Sequence, residues 1–432
     1  MTAPQIQRAI AQVWKEESAR VIGALARIVR DVALAEDMAQ EALLAALQEW
    51  PKTGIPERPG AWLMTTAKNR ALNALKRGQM IERAGVALGH ETASHVPLEE
   101  LQAAFESRMD VDVKDDVLRL IFTACHPALT QEARVTLTLK MVAGLSIEEI
   151  ARAFLSHEVS IAQRVVRAKR ALGDAQVPFE LPRGAELSAR LASVMEVIYL
   201  IFNEGYAATS GEDLMRPELS AEAIRLGELL VTLAAEEPEA HGLLALMRLQ
   251  ASREAARTDA AGDPVLLHEQ DRSRWDAELI TRGLGSLERA EALGPLPGPY
   301  RLQAAIAACH ARAATAVETD WAEIARLYGA LAERVPSPVV ELNRAVAVSR
   351  ARGPAAGLPL LDALATNKVL KGFHLLPAAR ADLLEQLGRY AEAAAEFERA
   401  AALTGNARQR QRLEARAEAA RALKRGRAPG GS

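Results

Sequence analysis

The stretch Gly144–Leu172, GLSIEEIARAFLSHEVSIAQRVVRAKRAL, decides how the chain folds. Its apolar residues recur at three- and four-residue intervals, the period of one helix face, and the pattern breaks once, between Leu155 and Val159. It predicts two short helices joined by a tight turn. Ser146 with Glu149 three residues on makes a capping box for the first helix, whose buried face is Ile147, Ile150, Ala151 and Phe154. Ala151 is small where two crossing helices must approach closely. Ser160, with Gln163 three residues on, is predicted to cap the second helix, which buries Ile161, Val165, Ala168 and Leu172. Gln163, Arg164, Arg167 and Arg170 then share the open face, with Lys169 to one side.

A helix-turn-helix sets the N-terminal half of its second helix in the major groove. Arginine pairs bidentately with guanine and glutamine with adenine, while Lys169 and Arg170, further along, suit phosphates. A plain solvated helix also carries basic residues on its open face, so this stretch alone leaves both readings open. The formal net charge of −3 sharpens the question, because nucleic-acid-coating proteins are usually basic.

Outward from this stretch, the composition favours helices. Aromatic residues are 4% of the 432, and Ala, Leu, Arg and Glu dominate, whereas strands need aromatic and β-branched residues. The length allows two or three domains. Two distant cysteines, Cys125 and Cys309, make no disulfide framework, the N-terminus has no signal-peptide core, and the apolar runs are too short to span a bilayer. The expectation is a soluble, cytoplasmic protein.

Upstream, Ile6, Ile10, Val13 and Trp14 share a helical face, as do Val21, Ile22, Leu25, Ile28 and Val29. A helix is predicted over Ala35–Trp50, stopping before Pro51. The segment PKTGIPERPG (51–60), with three prolines and two glycines, is predicted as an ordered loop, and Ala61–Arg77 as helix again. From Gly78 to Asp112 the pattern weakens into a linker with one short helix at Leu98–Phe105. Single helices follow over Asp116–Cys125 and Thr130–Ala143.

The segment AEDMAQEALLAALQEWPKTGIPERPGAWLMTTAKNRALNALKR (35–77) resembles region 2 of the extracytoplasmic-function (ECF) sigma factors, the promoter-specificity subunits of bacterial RNA polymerase, and Gly144–Leu172 resembles their region 4. Order and spacing match the family over about residues 5–175. The resemblance implies that Glu36, Asp37, Gln40 and Glu41 dock on the clamp helices of the polymerase β′ subunit, with the β flap as a further partner. It implies that Trp62, Lys68, Asn69, Arg70, Asn73, Lys76 and Arg77 contact and melt the −10 element. Trp62 equally suits a core position. The loop 51–60 sits where the family captures an unstacked base, and Ser160, Gln163, Arg164, Arg167, Lys169 and Arg170 fall where it reads the −35 element. The chain departs from the family at Asn73, where many members have Asp, and at Leu155 and Val159, where many have Gly. The wording AFLxxxxxxAQRxVRAKR resembles one ECF subgroup with a C-terminal tetratricopeptide-like (TPR-like) domain.

The longer half reads as helical throughout. Ala379–Leu403, ARADLLEQLGRYAEAAAEFERAAAL, has the form of a TPR unit, and Val340–Leu364 fits the template more loosely. Gly353 lies roughly one repeat of about 34 residues before Gly388. Ala407–Leu423 is predicted as a capping helix, with Asn406 capping its first turn. In Ile198–Gly211, IYLIFNEGYAATSG, the residues Asn203, Glu204 and Tyr206 are candidates to line a pocket, or else a helix end packed in the core. Cys125-His126, Cys309-His310 and His157 do not have structural zinc spacing, and no P-loop, GxSxG or HExxH occurs; Gly283–Glu288 lacks the third glycine of a dinucleotide fingerprint.

The reading is an all-α protein: region 2 over 1–78, linker 79–112, region 4 over 113–176, a TPR-like regulatory domain over 185–423 that takes a protein or small-molecule regulator, and a flexible tail over 424–432. Its partners are core RNA polymerase and promoter DNA, and it needs no cofactor, metal or catalytic residue because polymerase does the chemistry. A DNA-binding regulator with a repeat sensor that never contacts polymerase is the alternative, and a scaffold with a vestigial helix-turn-helix a third. The region 2 segment discriminates, since a plain helix-turn-helix regulator has no need of it.

Overall fold

The computed structural model describes residues 3–86, 113–154, 156–182, 184–206, 215–259, 264–405 and 407–426. Among them the fold is all-α, with one isolated β-bridge between Thr258 and Pro264. The chain forms two compact units, Met1–Leu200 and Ile201–Ser432.

The first unit begins with α1 (Ala3–Val29), α2 (Val32–Thr53) and α3 (Pro59–Val86). Both N-terminal faces read from the sequence belong to the single helix α1. Arg30 ends it with φ 55°, and Asp31 then caps α2, accepting from the N–H groups of Ala33 at 2.8 Å and Leu34 at 3.0 Å. The three helices share a core of Ile10, Trp14, Val21, Ile22 and Leu25 from α1, Ala35, Ala39, Ala42, Ala46 and Trp50 from α2, and Leu63, Ala67 and Ala71 from α3. The alanines of α2 recur at four- and three-residue steps, so its buried stripe carries little bulk and its neighbours approach closely.

Two boundaries differ from expectation. Helix α2 passes through Pro51 and ends at Thr53, because a proline in the exposed last turn removes only one intrahelical bond. Only 54–58 of the expected 51–60 loop lies between helices. Helix α3 continues past Gly78 to Val86, since one glycine among good helix formers costs only about 1 kcal/mol. The helix expected at Leu98–Phe105 lies outside the described residues.

Next come α4 (Val113–Ala124), α5 (Gln131–Met141), α6 (Ile147–Ala153) and α7 (Glu158–Asp174). The capping box of α6 is present: Ser146 Oγ accepts from Glu149 N at 3.0 Å, and Glu149 Oε2 accepts from Ser146 N at 2.8 Å. Ser160 does not cap α7. The chain leaves α6 early, with Ser156 N donating to the Ala151 carbonyl at 2.9 Å. His157 is already extended and its carbonyl accepts from the N–H groups of Ser160 and Ile161, so the helix starts two residues before Ser160. Val159 therefore sits inside the helix and needs no left-handed backbone. Among the described residues the non-glycine positions with positive φ are Arg30 and Gln176; Leu155 lies outside them.

Helix α8 (Ala185–Tyr206) follows. Its first half packs on the first unit, Arg190 donating to the Phe122 carbonyl at 2.7 Å and Ser193 Oγ to the Cys125 carbonyl at 3.1 Å. In the second unit, α9 (Pro217–Leu233), α10 (Pro238–Ala251), α11 (Ala277–Leu293), α12 (Pro299–Arg312), α13 (Trp321–Arg334), α14 (Pro338–Arg352), α15 (Pro354–Leu364), α16 (Leu375–Gln386), α17 (Tyr390–Leu403) and α18 (Ala407–Gly426) follow in order. Gly353 and Gly388 make the turns of two helical hairpins with φ 90° and 75°, a region glycine enters without strain. One core, with Leu342, Leu361, Leu384, Phe397 and Ala420 in it, runs through five consecutive helices, α14 to α18. Asn406 lies outside the described residues.

Candidate nucleic-acid interface

Helix α7 buries Ile161, Val165, Ala168 and Leu172 at four- and three-residue steps. Turning that stripe inward sends Ser160, Gln163, Arg167 and Arg170 outward in one exposed row. Arg170 reaches Asp174 at 3.6 Å. Arg164 is half-buried and leans on α5, with Glu132 at 3.5 Å and Thr136 Oγ1 at 3.4 Å. Lys169 leaves the row altogether and points at α2.

On α3, Trp62 is half-buried, its ring edge-on to buried Trp50 at 5.3 Å and 70°. It therefore has both a packed side and an open one. Asn69, Arg70 and Asn73 are exposed, Lys68 is half-buried, and Arg70 bridges to Glu41 at 3.3 Å. The side chains of Lys76 and Arg77 lie outside the described residues.

The acidic residues of α2 have unequal surroundings. Glu36 is buried, 4% exposed, with Lys169 Nζ at 2.8 Å and Lys140 Nζ at 4.0 Å. Asp37 is exposed and accepts from the same Lys169 Nζ at 2.7 Å. Gln40 is half-buried, and its Nε2 is buried without a partner. Burial opposes the charge on Lys169, but the carboxylates of Glu36 and Asp37 outweigh it and hold its pKa above the usual lysine value. Lys140 goes the other way: burial lowers its pKa and the charge of Lys169 adds to the fall, against the pull of Glu36.

Two further patches tie α1 to α4 and to α6. Arg27 Nε on α1 reaches Asp116 Oδ2 on α4 at 2.8 Å, and Arg119 reaches the other oxygen at 2.7 Å. Burial still pushes the Asp116 carboxyl up against both guanidinium groups. Beside this pair the backbones nearly touch, since a Cβ on Gly23 would lie 2.8 Å from the Asp116 carbonyl oxygen. Midway along α1, Lys15 Nζ meets Glu149 Oε1 at 2.9 Å, and a Cβ on Gly144 would lie 2.7 Å from Ser18 Oγ. Lys15, Arg27, Asp116 and Lys140 carry no motif, and the capping box that holds Glu149 does not name Lys15 as its partner. Their partners lie far away in the chain, 89 residues apart for Arg27 and Asp116, and only the tertiary fold brings them together.

In the second unit, Glu204 pairs with Arg216, and the Tyr206 hydroxyl accepts from Arg253 at 3.0 Å. The Tyr206 ring is stacked on Phe202 at 5.6 Å and has the Arg257 guanidinium 3.8 Å from its centroid. Asn203 is half-buried beside them. These groups are held as a packed helix end holds them. Among the described residues no three His, Cys, Asp or Glu are grouped to hold a metal ion. Burial raises the Cys125 thiol to about 11, with its Sγ 3.4 Å from Thr138 Oγ1. No described helix is long and apolar enough to cross a membrane.

Residues 13–80 match the model of sigma-70 region 2 and residues 119–172 that of sigma-70 region 4. Residues 190–291 match a family of unknown function (DUF6596). The chain is 44% identical over 396 residues to "Uncharacterized protein R00370" of Rhizobium meliloti (strain 1021), which covers 90% of each chain. It is 27% identical over 167 residues to the ECF RNA polymerase sigma factor SigK of Mycobacterium tuberculosis (strain H37Rv), covering 38% of this chain and 84% of that one. It is also 30% identical over 144 residues to the RNA polymerase sigma factor CarQ of Myxococcus xanthus, covering 33% and 75%.

Proposed function

We propose, for a chain that belongs to one family with R00370 of Rhizobium meliloti and carries sigma-70 regions 2 and 4, that it is an ECF-type sigma factor directing core RNA polymerase to its promoters. The observation that carries this reading is the joint presence of an exposed basic row on α7 and an α3 that exposes Asn69, Arg70 and Asn73 beside an acidic α2. A regulator that only bound DNA would need the first alone.

In this reading the row Ser160, Gln163, Arg167 and Arg170 enters the major groove at the −35 element, with Arg164 swinging from Glu132 to join it. Asn69, Arg70 and Asn73 meet the −10 element, and the open side of Trp62 stacks on an unpaired base, with Lys68, Lys76 and Arg77 on the backbone. Glu36, Asp37, Gln40 and Glu41 meet a basic surface on polymerase, the β′ clamp helices, where charge complementarity fixes the register. Polymerase does the chemistry, so the chain works in the cytoplasm without catalytic residues or cofactor.

The second unit is a TPR-like regulatory domain in this reading. The glycine-turned hairpins at Gly353 and Gly388 and the shared core of α14–α18 support it, because stacked hairpins bury one continuous core and leave a surface for a partner. The test is transcription with purified core polymerase. Replacing Arg164 and Arg167 together by Ala should abolish promoter-specific initiation while core still copurifies. A double variant that starts transcription at the same sites as wild type would refute the assignment of α7.

A further inference from the structure

We infer that the second unit binds a small molecule carrying both an ammonium and a carboxylate group, of the class of the α-amino acids, in a cleft lined by α14, α16, α18 and the chain at 266–269. The inference deepens the reading of that unit as a regulatory domain, and rests on that reading only for the ligand's purpose. The cleft encloses about 380 Å³, the size of a small-molecule site. Asp382 and Glu385 line it from α16, three residues apart and so on one face of the helix. Arg412 and Arg416 line it from α18, and Arg350 from the last turn of α14.

The charges around the cleft do not cancel where they stand. Arg416 serves two carboxylates at once, bonding Asp382 and reaching Glu385 Oε2 at 2.5 Å, so α16 keeps an excess negative charge there. The Phe397 ring, 4.3 Å from the Arg416 guanidinium, holds that side chain in place. Arg412 is spent on Glu269 at 2.7 Å and on the Pro264 carbonyl. Arg350 is different: it is exposed, pairs with no carboxylate among the described residues, and donates to His268 Nδ1 at 3.4 Å. The ion pairs that knit α16 to α18 have no use for it. Burial, with the charge of Glu385 added, holds the Asp382 carboxyl above the usual range although Arg416 bonds it, so a second cation there is favoured. The charge of Arg350 also acts on Asp382, which puts the two unlike centres within reach of one small molecule. An ammonium on Asp382 and Glu385 and a carboxylate on Arg350 compensate both centres and leave every existing pair intact. A lone cation or a lone anion leaves one centre as it was.

The test is isothermal titration calorimetry on the full-length protein, with the common L-amino acids as probes, one at a time. At least one should bind at a single site per chain. Its N-acetyl and its amide derivatives, each short of one charge, should bind at least about tenfold more weakly, because each gives up a hydrogen bond between charged groups. Arg350→Gln should weaken the parent amino acid by a similar factor and leave the amide, which has no carboxylate to lose, unchanged. Asp382→Asn should weaken the parent and leave the N-acetyl form unchanged. If Asp382→Asn melts below wild type, Glu385→Gln takes its place, since it leaves Arg416 its bond to Asp382. Absence of binding by every amino acid overturns the inference. So does a derivative that binds as tightly as its parent, or an Arg350→Gln effect that is equal on parent and amide. The calorimetry contains no polymerase, so its outcome is independent of whether the chain directs transcription, which the reaction with core polymerase decides.

Discussion

Arg167 stands exposed on the outer row of α7, so its replacement by Ala should leave stability unchanged while removing a base contact worth about 1–3 kcal/mol. Urea unfolding and a promoter-binding assay separate the two effects. Ser160 supplies a second test at this scale. As an N-cap it would contribute about 1 kcal/mol, but it lies inside the helix and its side chain caps nothing, so Ser160→Ala should cost less than about 0.5 kcal/mol. His310 titrates instead. Burial, then the charges of Arg253 and Arg272, hold its pKa at about 3, against 6.5 unperturbed. Between those values the unfolded chain binds a proton that the folded chain refuses. The second unit should therefore lose stability as pH falls from about 6.5 towards 3, by up to about 1.4 kcal/mol per pH unit. Denaturant titrations across that range should show a flatter profile for His310→Gln.

At the scale of elements, Gly388→Ala should cost about 1 kcal/mol or more, because a Cβ is forced into φ 75° at the turn from α16 to α17; thermal melting checks it. Those glycines could be placed from the sequence because the conformation they supply is local. The capping box of α6 and the buried face of α7 were equally local, and the structure has them as read; of the face expected on α6, Ile150 and Ala151 are buried, while Ile147 and Phe154 are half-buried. The start of α7 was not, because Ser160 has cap chemistry but Ser156 and His157 had already turned the chain. Pro51 misled in the same way: its effect depends on where the helix would have ended. The contact of α7 with α2 lay beyond reach altogether, since Lys169 and Glu36 are 133 residues apart and nothing in either neighbourhood names the other. Lys169 was expected at DNA phosphates, and only the packed structure shows what it meets in the free chain.

For the whole molecule, the acidic net charge and the basic row of α7 no longer conflict. In the proposed reading the carboxylates of α2 meet polymerase and the second unit is not asked to touch DNA. The account stands or falls on whether the chain redirects polymerase. The direct measurement is sequencing of transcript 5′ ends made in vitro on genomic DNA by core polymerase with and without the full-length protein. The expected result is a discrete set of start sites that appears only with the protein, preceded by shared −35 and −10 sequences. An identical pattern of starts in both reactions would contradict it.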